Sequence, residues 1–369
     1  MIYVFYSNDP LAQDLGGGAE HFRGLFRALD ESGLAYRLVA ARLQHDRRHP
    51  AVDYVCEGSA FPRFWLASWR WFWRNRHRLR PGDVLHFHRT YAAWPALVLA
   101  RGKARVVVTY HNVSGRVLAG RLGRLAAPLR ALMLLFERRV ARAADAILCV
   151  SERDRGELAA RVARKPFEAA LVIPAALDQR LFADPPPPPG PALAGRLLFL
   201  GRLSHQKNLP LAVATLEQLA AEGADVTLTI AGDGEDAASL DRLIARSPAR
   251  RRILRLGAVP HGKVPALLAG HGILLLTSRY EASPTVVKEA LLARRPVVTT
   301  DVGDVRAWLE EGTSGFVRAA EPAALAEGVR AARLLLEAGR YRPGAALERL
   351  DERAIMGRVL DLYRRLAAA

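Results

Sequence analysis

Cysteine is nearly absent from this chain: Cys56 and Cys149 are the only two in 369 residues, and they lie far apart. No disulfide framework and no zinc-ligand spacing can be built from them, which fits a reducing cytoplasm. There is also no run of about 18 apolar residues, the length a bilayer-crossing helix needs. The opening MIYVFYSNDP has no basic leader and only a short apolar run, so it is read as a buried first strand and not as a signal peptide. Acidic residues are the scarcer charge, 37 Asp+Glu against 54 Lys+Arg, for a net +17. The imbalance is uneven: up to residue 190 there are 29 basic and 17 acidic residues, net +12, against 25 and 20, net +5, beyond it. Such an N-terminal half favours anionic lipid, an anionic substrate or nucleic acid, unless the excess is compositional drift toward Arg, Ala and Pro.

What is present in quantity is alternation. A chain of 369 residues exceeds what one hydrophobic core usually serves. Residues 183–195, ADPPPPPGPALAG, favour an extended polyproline spacer and divide the chain. Before them, IYVFY 2–6, YRLVAA 36–41, VLHFH 84–88, RVVVTYH 105–111, AILCVS 146–151 and ALVIP 170–174 alternate with helical patterns. After them, RLLFLG 196–201, VTLTIAG 226–232, RILRLG 252–257, GILLLTS 272–278 and PVVTT 296–300 do the same. Near-continuous apolar strands between helices predict parallel sheets covered on both faces. The expected fold class is α/β, with two Rossmann-like doubly wound domains facing across a cleft. The domains are an N-terminal one over 1–182, the linker 183–195, a C-terminal one over 196–350, and a C-terminal helix 351–369 able to pack back on the first. Ligands in such folds bind beyond the carboxyl ends of the strands.

Several motifs fall at those ends. GGGAEHF, 16–22, follows the first strand and opens a helix, so its backbone can approach a ligand closely and its helix N-terminus attracts phosphate. It is not G-x-G-x-x-G, which disfavours a dinucleotide, and a plain tight turn explains it equally well. GRLSHQKN, 201–208, places Arg202 and Lys207 beyond a strand end, where they suit a diphosphate or are solvated surface charges. In IAGDGEDAASL, 230–240, Asp233 and Glu235 lack a full metal-ligand set, and a turn is the better reading. His86 and His88 share one face of a strand, but no third ligand accompanies them, so a packed strand end is favoured over zinc. His111 follows the next strand toward the same edge.

SRYEASPTVVKEA, 278–290, carries Glu281 and Glu289. Ser283 reads as an N-cap and Pro284 as the first helical residue. That leaves Glu281 on a loop and Glu289 one to two turns inside the helix, so the pair should not flank one bond as in a hydrolase. The helix start, near Thr285 and Val286, is an anion cradle. The two carboxylates then read as hydroxyl clamps, for a sugar at Glu281 and a ribose at Glu289.

The order of GGGAE, ADAILCVSERDRGEL, VIPAALDQRLF, FLGRLSHQKN, IAGDGE, RLGAVPHGKVPALLAG and SRYEASPTVVKEALLARRPVVTTDVGDVRAWLEEGTSGFV resembles the retaining family 4 glycosyltransferases over nearly the whole chain. The resemblance implies the GT-B type fold, a UDP- or GDP-sugar donor and no essential metal or other cofactor. It implies that Gly17 and Gly18 approach the donor diphosphate, His111 the donor sugar, and Arg202 and Lys207 the diphosphate. The Ser283, Pro284, Thr285 and Val286 stretch would complete the donor site, with Glu281 at the transferred sugar and Glu289 at the ribose. His111, Glu281, Arg202 and Lys207 are then the expected catalytic set. The acceptor attacks from the leaving-group face and its proton passes to a phosphate oxygen, while the two cations stabilise the developing charge. Three positions depart from the family pattern: Ala175-Ala176 for Asn-Gly, Ala282 for glycine, and Ala293-Arg294-Arg295 for Ala-Cys-Gly.

FPRFWLASWRWFWRNRHRLR, 61–80, mixes aromatics with arginines. On a helix, Trp65, Trp69 and Phe72 or Trp73 share a face, flanked by Arg63, Arg70, Arg74 and Arg78. Residues 116–142 add Arg116, Arg121, Arg124, Arg130, Arg138, Arg139 and Arg142 around ALMLLF. Both segments suit a membrane interface rich in anionic lipid, or a core-packed helix with a solvated arginine face. The expected partners are a nucleotide sugar, a saccharide or lipid-linked acceptor in envelope glycan or exopolysaccharide synthesis, and an anionic membrane surface, with no nucleic acid. The expected location is cytoplasmic, peripheral on the inner membrane face. Rival readings are a basic nucleic-acid- or membrane-binding non-enzyme, separable by salt-dependent oligonucleotide binding, and a sugar-phosphate synthase of the same fold, separable by acceptor screening.

Overall fold

The computed structural model describes residues 1–11, 17–43, 48–100, 102–111 and 127–369, with residues 17–19 and 127–130 described as backbone alone. The chain forms two compact units. One comprises 1–12, 21–174 and 353–369, the other 13–20 and 175–352. The passage from the first to the second thus falls at Pro174–Ala175. The proline-rich stretch runs with the second unit, where Arg295 Nη1 donates to the Pro187 carbonyl at 2.7 Å.

The first unit contains β1 (Ile2–Tyr6), β2 (Tyr36–Arg42), β3 (Val52–Glu57), β4 (Val84–Phe87), β5 (Arg105–Tyr110), β6 (Ala146–Cys149) and β7 (Leu171–Val172). They form one sheet in the order β3-β2-β1-β4-β5-β6-β7, parallel throughout. The second unit contains β8 (Arg196–Leu200), β9 (Thr227–Ala231), β10 (Ile253–Gly257), β11 (Ile273–Leu276), β12 (Val297–Thr300) and β13 (Gly315–Arg318). Their order, β10-β9-β8-β11-β12-β13, repeats the same winding, again parallel. Each sheet therefore reverses its strand order once, between β1 and β4 and between β8 and β11. Ligand sites of doubly wound folds form at that point, because the loops there diverge to opposite faces.

The side-chain period of two explains why both faces are covered. On β8, Leu197 and Phe199 join the core made by helices Leu209–Ala221 and Pro322–Glu337. Leu198 points the other way, into a core with Val287, Ala290 and Leu291 of the helix Thr285–Leu292. In the first unit, Leu85 and Phe87 face Phe64, Trp71 and Phe72 of the helix Phe61–Asn75. On the opposite face of β4 and β5, His86 and Thr109 are buried and meet the C-terminal helix Glu352–Ala368. Its fully buried Tyr363 hydroxyl bonds His86 Nδ1.

Two strands, β3 and β13, were not among the apolar runs. Both are edge strands, and β3 is only half-buried along its length, so neither needs an unbroken apolar sequence.

Candidate active site

At the carboxyl edge of the second sheet, two loops are tied together through Glu281. Lys207 Nζ lies 2.6 Å from its Oε1, which also accepts from Ser278 Oγ at 2.7 Å. Gln206 Nε2 donates to Oε2 at 3.0 Å and to the Tyr280 carbonyl at 2.9 Å. Thr277 Oγ1 donates back to the Lys207 carbonyl at 2.9 Å, and Arg279 N to the Gln206 carbonyl at 2.8 Å. Gln206 and Ser278 were not singled out from sequence. Neighbours of recognised motif residues, they had no signal beyond position. Glu281 is thus a carboxylate whose two oxygens accept three side-chain donors.

Arg202 is placed differently. Its guanidinium is 74% exposed and pairs with Glu235 at 3.0 Å. A pair this exposed is worth about 0–1 kcal/mol, so its guanidinium can turn to an anionic ligand at little cost. The Gly-Asp-Gly of the β9 loop is a packing device. A Cβ on Gly232 would sit 1.9 Å from the Gly201 carbonyl oxygen, and one on Gly234 2.3 Å from that of Leu203. The two loops pass so closely that only glycine fits.

The helix behind Glu281 starts one residue later than expected. It begins at Thr285, with extended Pro284 as its N-cap, so Ser283 is not the cap. The Ser283 hydroxyl donates to Asp304 Oδ2 at 2.6 Å and accepts from Lys288 Nζ at 2.6 Å. Lys288 is fully buried, and its ammonium also donates to the Ala175 carbonyl at 3.1 Å, lies 3.7 Å from Asp304, and sits 4.6 Å over the Trp308 ring. Burial lowers its pKa, with Asp304 opposing the shift. A buried ammonium needs the hydroxyl more than a helix end does. The first N–H groups of this helix, at Thr285 and Val286, have no intrahelical acceptor. Glu289, 5% exposed, lies in the second turn and accepts from His261 Nε2 at 3.0 Å.

The family departures are accommodated unequally. Ala282 has ordinary negative φ, while Arg294 takes φ +57° just past the helix end, in a left-handed position that favours glycine. Arg295 is buried and donates to the Leu268 and Ala269 carbonyls at 2.8 and 3.0 Å.

Gly17 and Gly18 open the helix Gly17–Glu31, whose first residues, up to Glu20, group with the second unit; Gly16 lies outside the described residues. Buried Asp9, just after β1, accepts from Leu11 N, Leu43 N and the Tyr54 hydroxyl at 2.9, 2.8 and 2.9 Å, tying the ends of β1 and β2 to a side chain of β3. His111, half-buried beyond β5, shares a hydrogen bond with His88 at 2.9 Å. Among the described residues, no group of three His, Cys, Asp or Glu is arranged to hold a metal ion.

The helix Phe61–Asn75 divides its aromatics between the core and the surface. Its buried face is Phe64, Ser68, Trp71 and Phe72, because Trp71 packs edge-on and Phe72 stacks against Phe5, at 5.1 and 5.0 Å between ring centroids. Trp65 and Trp69 flank that face half-buried, 6.0 Å apart. Trp73 is 62% exposed, with the Arg76 guanidinium 5.1 Å over its ring. Phe61 and Leu66 are also exposed, as are Arg63, Arg70, Arg74 and Arg78. Of the second basic segment, Arg116, Arg121 and Arg124 lie outside the described residues, as does the Arg130 side chain, and Arg138 donates to the Val162 carbonyl at 2.8 Å. No helix among the described residues is long and apolar enough to cross a membrane.

Two parallel, doubly wound sheets with polar loops at their carboxyl edges define a GT-B architecture. The Glycosyltransferase Family 4 profile matches residues 15–179, and that of Glycosyl transferases group 1 matches residues 194–333. The chain belongs to this group 1/family 4 class of glycosyltransferases, enzymes that move a sugar from a nucleotide-sugar donor to an acceptor. It is 29% identical over 272 residues to an alpha-D-kanosaminyltransferase of Streptomyces kanamyceticus, covering 67% of each chain. A sucrose-phosphate synthase of Thermosynechococcus elongatus superposes with a TM-score of 0.79 at 20% identity, over 100% of this chain and 99% of its own. Anabaena HepE, crystallised with UDP-glucose, superposes with a TM-score of 0.67 at 17% identity, over 100% and 98%.

Proposed function

We propose that this enzyme is a retaining hexosyltransferase that uses a UDP- or GDP-sugar without an essential metal. Its acceptor is a saccharide or lipid-linked saccharide of envelope glycan or exopolysaccharide synthesis. The observation that carries the mechanism is the state of Glu281. A carboxylate already bound by Lys207, Ser278 and Gln206 is poorly placed to serve as a general base. The acceptor hydroxyl oxygen bonds to the anomeric carbon on the face the phosphate leaves. The anomeric carbon–phosphate oxygen bond breaks, and the hydroxyl proton passes to the departing phosphate oxygen. Arg202, Lys207 and the N–H groups at Thr285 and Val286 stabilise the charge that develops there, with Gly17 and Gly18 approaching the same diphosphate. Glu281 and His111 contact the transferred sugar, and Glu289 the ribose. HepE's complex with UDP-glucose makes UDP-glucose the first donor to test.

The amphipathic side of the helix Phe61–Asn75, with Phe61, Leu66 and Trp73 exposed beside Arg63, Arg70 and Arg74, supports a peripheral contact with an anionic cytoplasmic membrane face. Thermal-shift and hydrolysis assays across UDP-, GDP- and ADP-sugars test the donor, and the anomeric configuration of the product, by NMR, tests retention. An inverted product, or no nucleotide sugar that stabilises the protein or is hydrolysed, would overturn the reading. Flotation with anionic vesicles at low salt tests the membrane contact, which fails if no protein floats.

A further inference from the structure

The first sheet carries a pair of histidines, His88 buried and His111 half-buried, that the transfer chemistry above uses only in part. His88 and His111 follow the adjacent strands β4 and β5, whose pairing sets Phe87 beside Val108. His88 is 2% exposed, and its backbone N–H donates to the Phe5 carbonyl at 3.2 Å. The rings of Phe22 and Tyr6 stand edge-on to its imidazole, at 4.9 and 6.1 Å between centroids. Its Nδ1 lies 2.9 Å from His111 Nε2, with the two rings 23° from parallel. Its own Nε2 is buried with no hydrogen-bond partner among the described residues.

Burial, reinforced by neighbouring His86, His21 and Arg89, holds both imidazoles well below their ordinary pKa, so both are neutral at pH 7. One proton then lies between Nδ1 and Nε2, and it belongs to one ring or the other. If His111 donated it, the proton of His88 would sit on Nε2 as a buried donor without an acceptor. Orphaned buried N–H groups are rarer and more costly than under-used acceptors. The alternative leaves only an unused lone pair on His88. His111 Nε2 is then an acceptor, and its own proton must sit on Nδ1.

We propose that His88 is a positioning residue, donating through Nδ1 to His111 Nε2 and thereby fixing His111 as the Nδ1–H tautomer that presents a donor to a hydroxyl of the transferred sugar. The last clause rests on the assignment of His111 to that sugar. The tautomer itself does not.

The test uses the full-length protein with 15N-labelled histidine, His111 being identified by the signals lost in His111→Asn. Two-bond 15N–1H correlations at pH 7 are expected to show His111 protonated at Nδ1, the less common form in water. Protonation at Nε2 in the unaltered protein overturns the proposal, whether or not any variant folds. In His88→Phe, His111 should revert to Nε2–H, and kcat should fall about tenfold or more, as for one lost hydrogen bond, with nucleoside diphosphate affinity unchanged. His88→Asn, whose amide N–H can stand in for Nδ1–H, should restore much of both. If the tautomer is as assigned and reverts in His88→Phe, yet kcat is unmoved, the assignment of His111 to the sugar is overturned while the His88 contact stands.

Discussion

Glu281 and Glu289 sit on one short segment but face different surroundings, and their variants should separate accordingly. Glu281 is held at the loop edge by Lys207, Gln206 and Ser278. Glu281→Ala should lower kcat about a hundredfold if its contact strengthens in the transition state, with nucleotide affinity little changed. Glu289 accepts from His261 inside the second helical turn. Glu289→Ala should weaken nucleoside diphosphate binding about tenfold, the scale of one charged hydrogen bond, with a smaller effect on kcat. Calorimetry and initial rates measure the two quantities, and equal effects of both variants on both would contradict the division of roles. At Arg294, φ +57° places a side chain where an L-residue costs about 1–2 kcal/mol. Glycine relieves that strain but gains freedom when unfolded, by about 0.4–1 kcal/mol. Arg294→Gly should therefore raise stability by about 0.5–1 kcal/mol, read from the urea midpoint.

Among elements, the helix Thr285–Leu292 depends on a buried charge that no amphipathic pattern reveals. Lys288 binds Ser283, Asp304 and the Ala175 carbonyl from a fully buried position. Removing one partner of a buried pair costs about 3–5 kcal/mol, whereas replacing both by apolar groups is often neutral. Lys288→Met should therefore destabilise by that amount, and Lys288→Met with Asp304→Leu should recover most of it in the same unfolding assay. The sequence made the helix legible through the proline and the apolar run. It did not make the cap legible, because Ser283 looks the same whether its hydroxyl serves a helix end or an ammonium folded back from five residues on. The same limit applies to the helix Phe61–Asn75. Its aromatics outnumber the places on one face, and only contact with Phe5 decides that Trp71 and Phe72 turn inward while Trp73 stays out. The central strands were readable as apolar runs because helices bury both their faces. The edge strands β3 and β13 lacked that requirement and passed unnoticed.

For the whole molecule, charge and burial make separate predictions. The proposed lipid contact predicts that Trp73→Ser with Arg74→Ser reduces flotation with anionic vesicles, and that rising salt reduces it further, because surface charges are screened. Buried His86, bonded to Thr109 and Tyr363, has its pKa pushed down to about 3 by burial, with nearby His21 adding to the shift. His88 and His111 shift in the same direction. The unfolded chain binds these protons near pH 6.5 and the folded one much lower, so stability from this cluster is full above about 6.5 and lost as pH falls toward 3. Urea midpoints measured from pH 7 to 4.5 should fall, and should fall less steeply for His86→Gln, whatever its stability at pH 7. The Tyr363 contact also bears on the order of assembly. The first sheet is synthesised before the second unit, yet the helix that covers His86 is made only after it. Domains generally close as units during synthesis. Here the face of the first sheet at His86 stays open until the second unit has been translated, and the helix Glu352–Ala368 then acts as the latch that closes it.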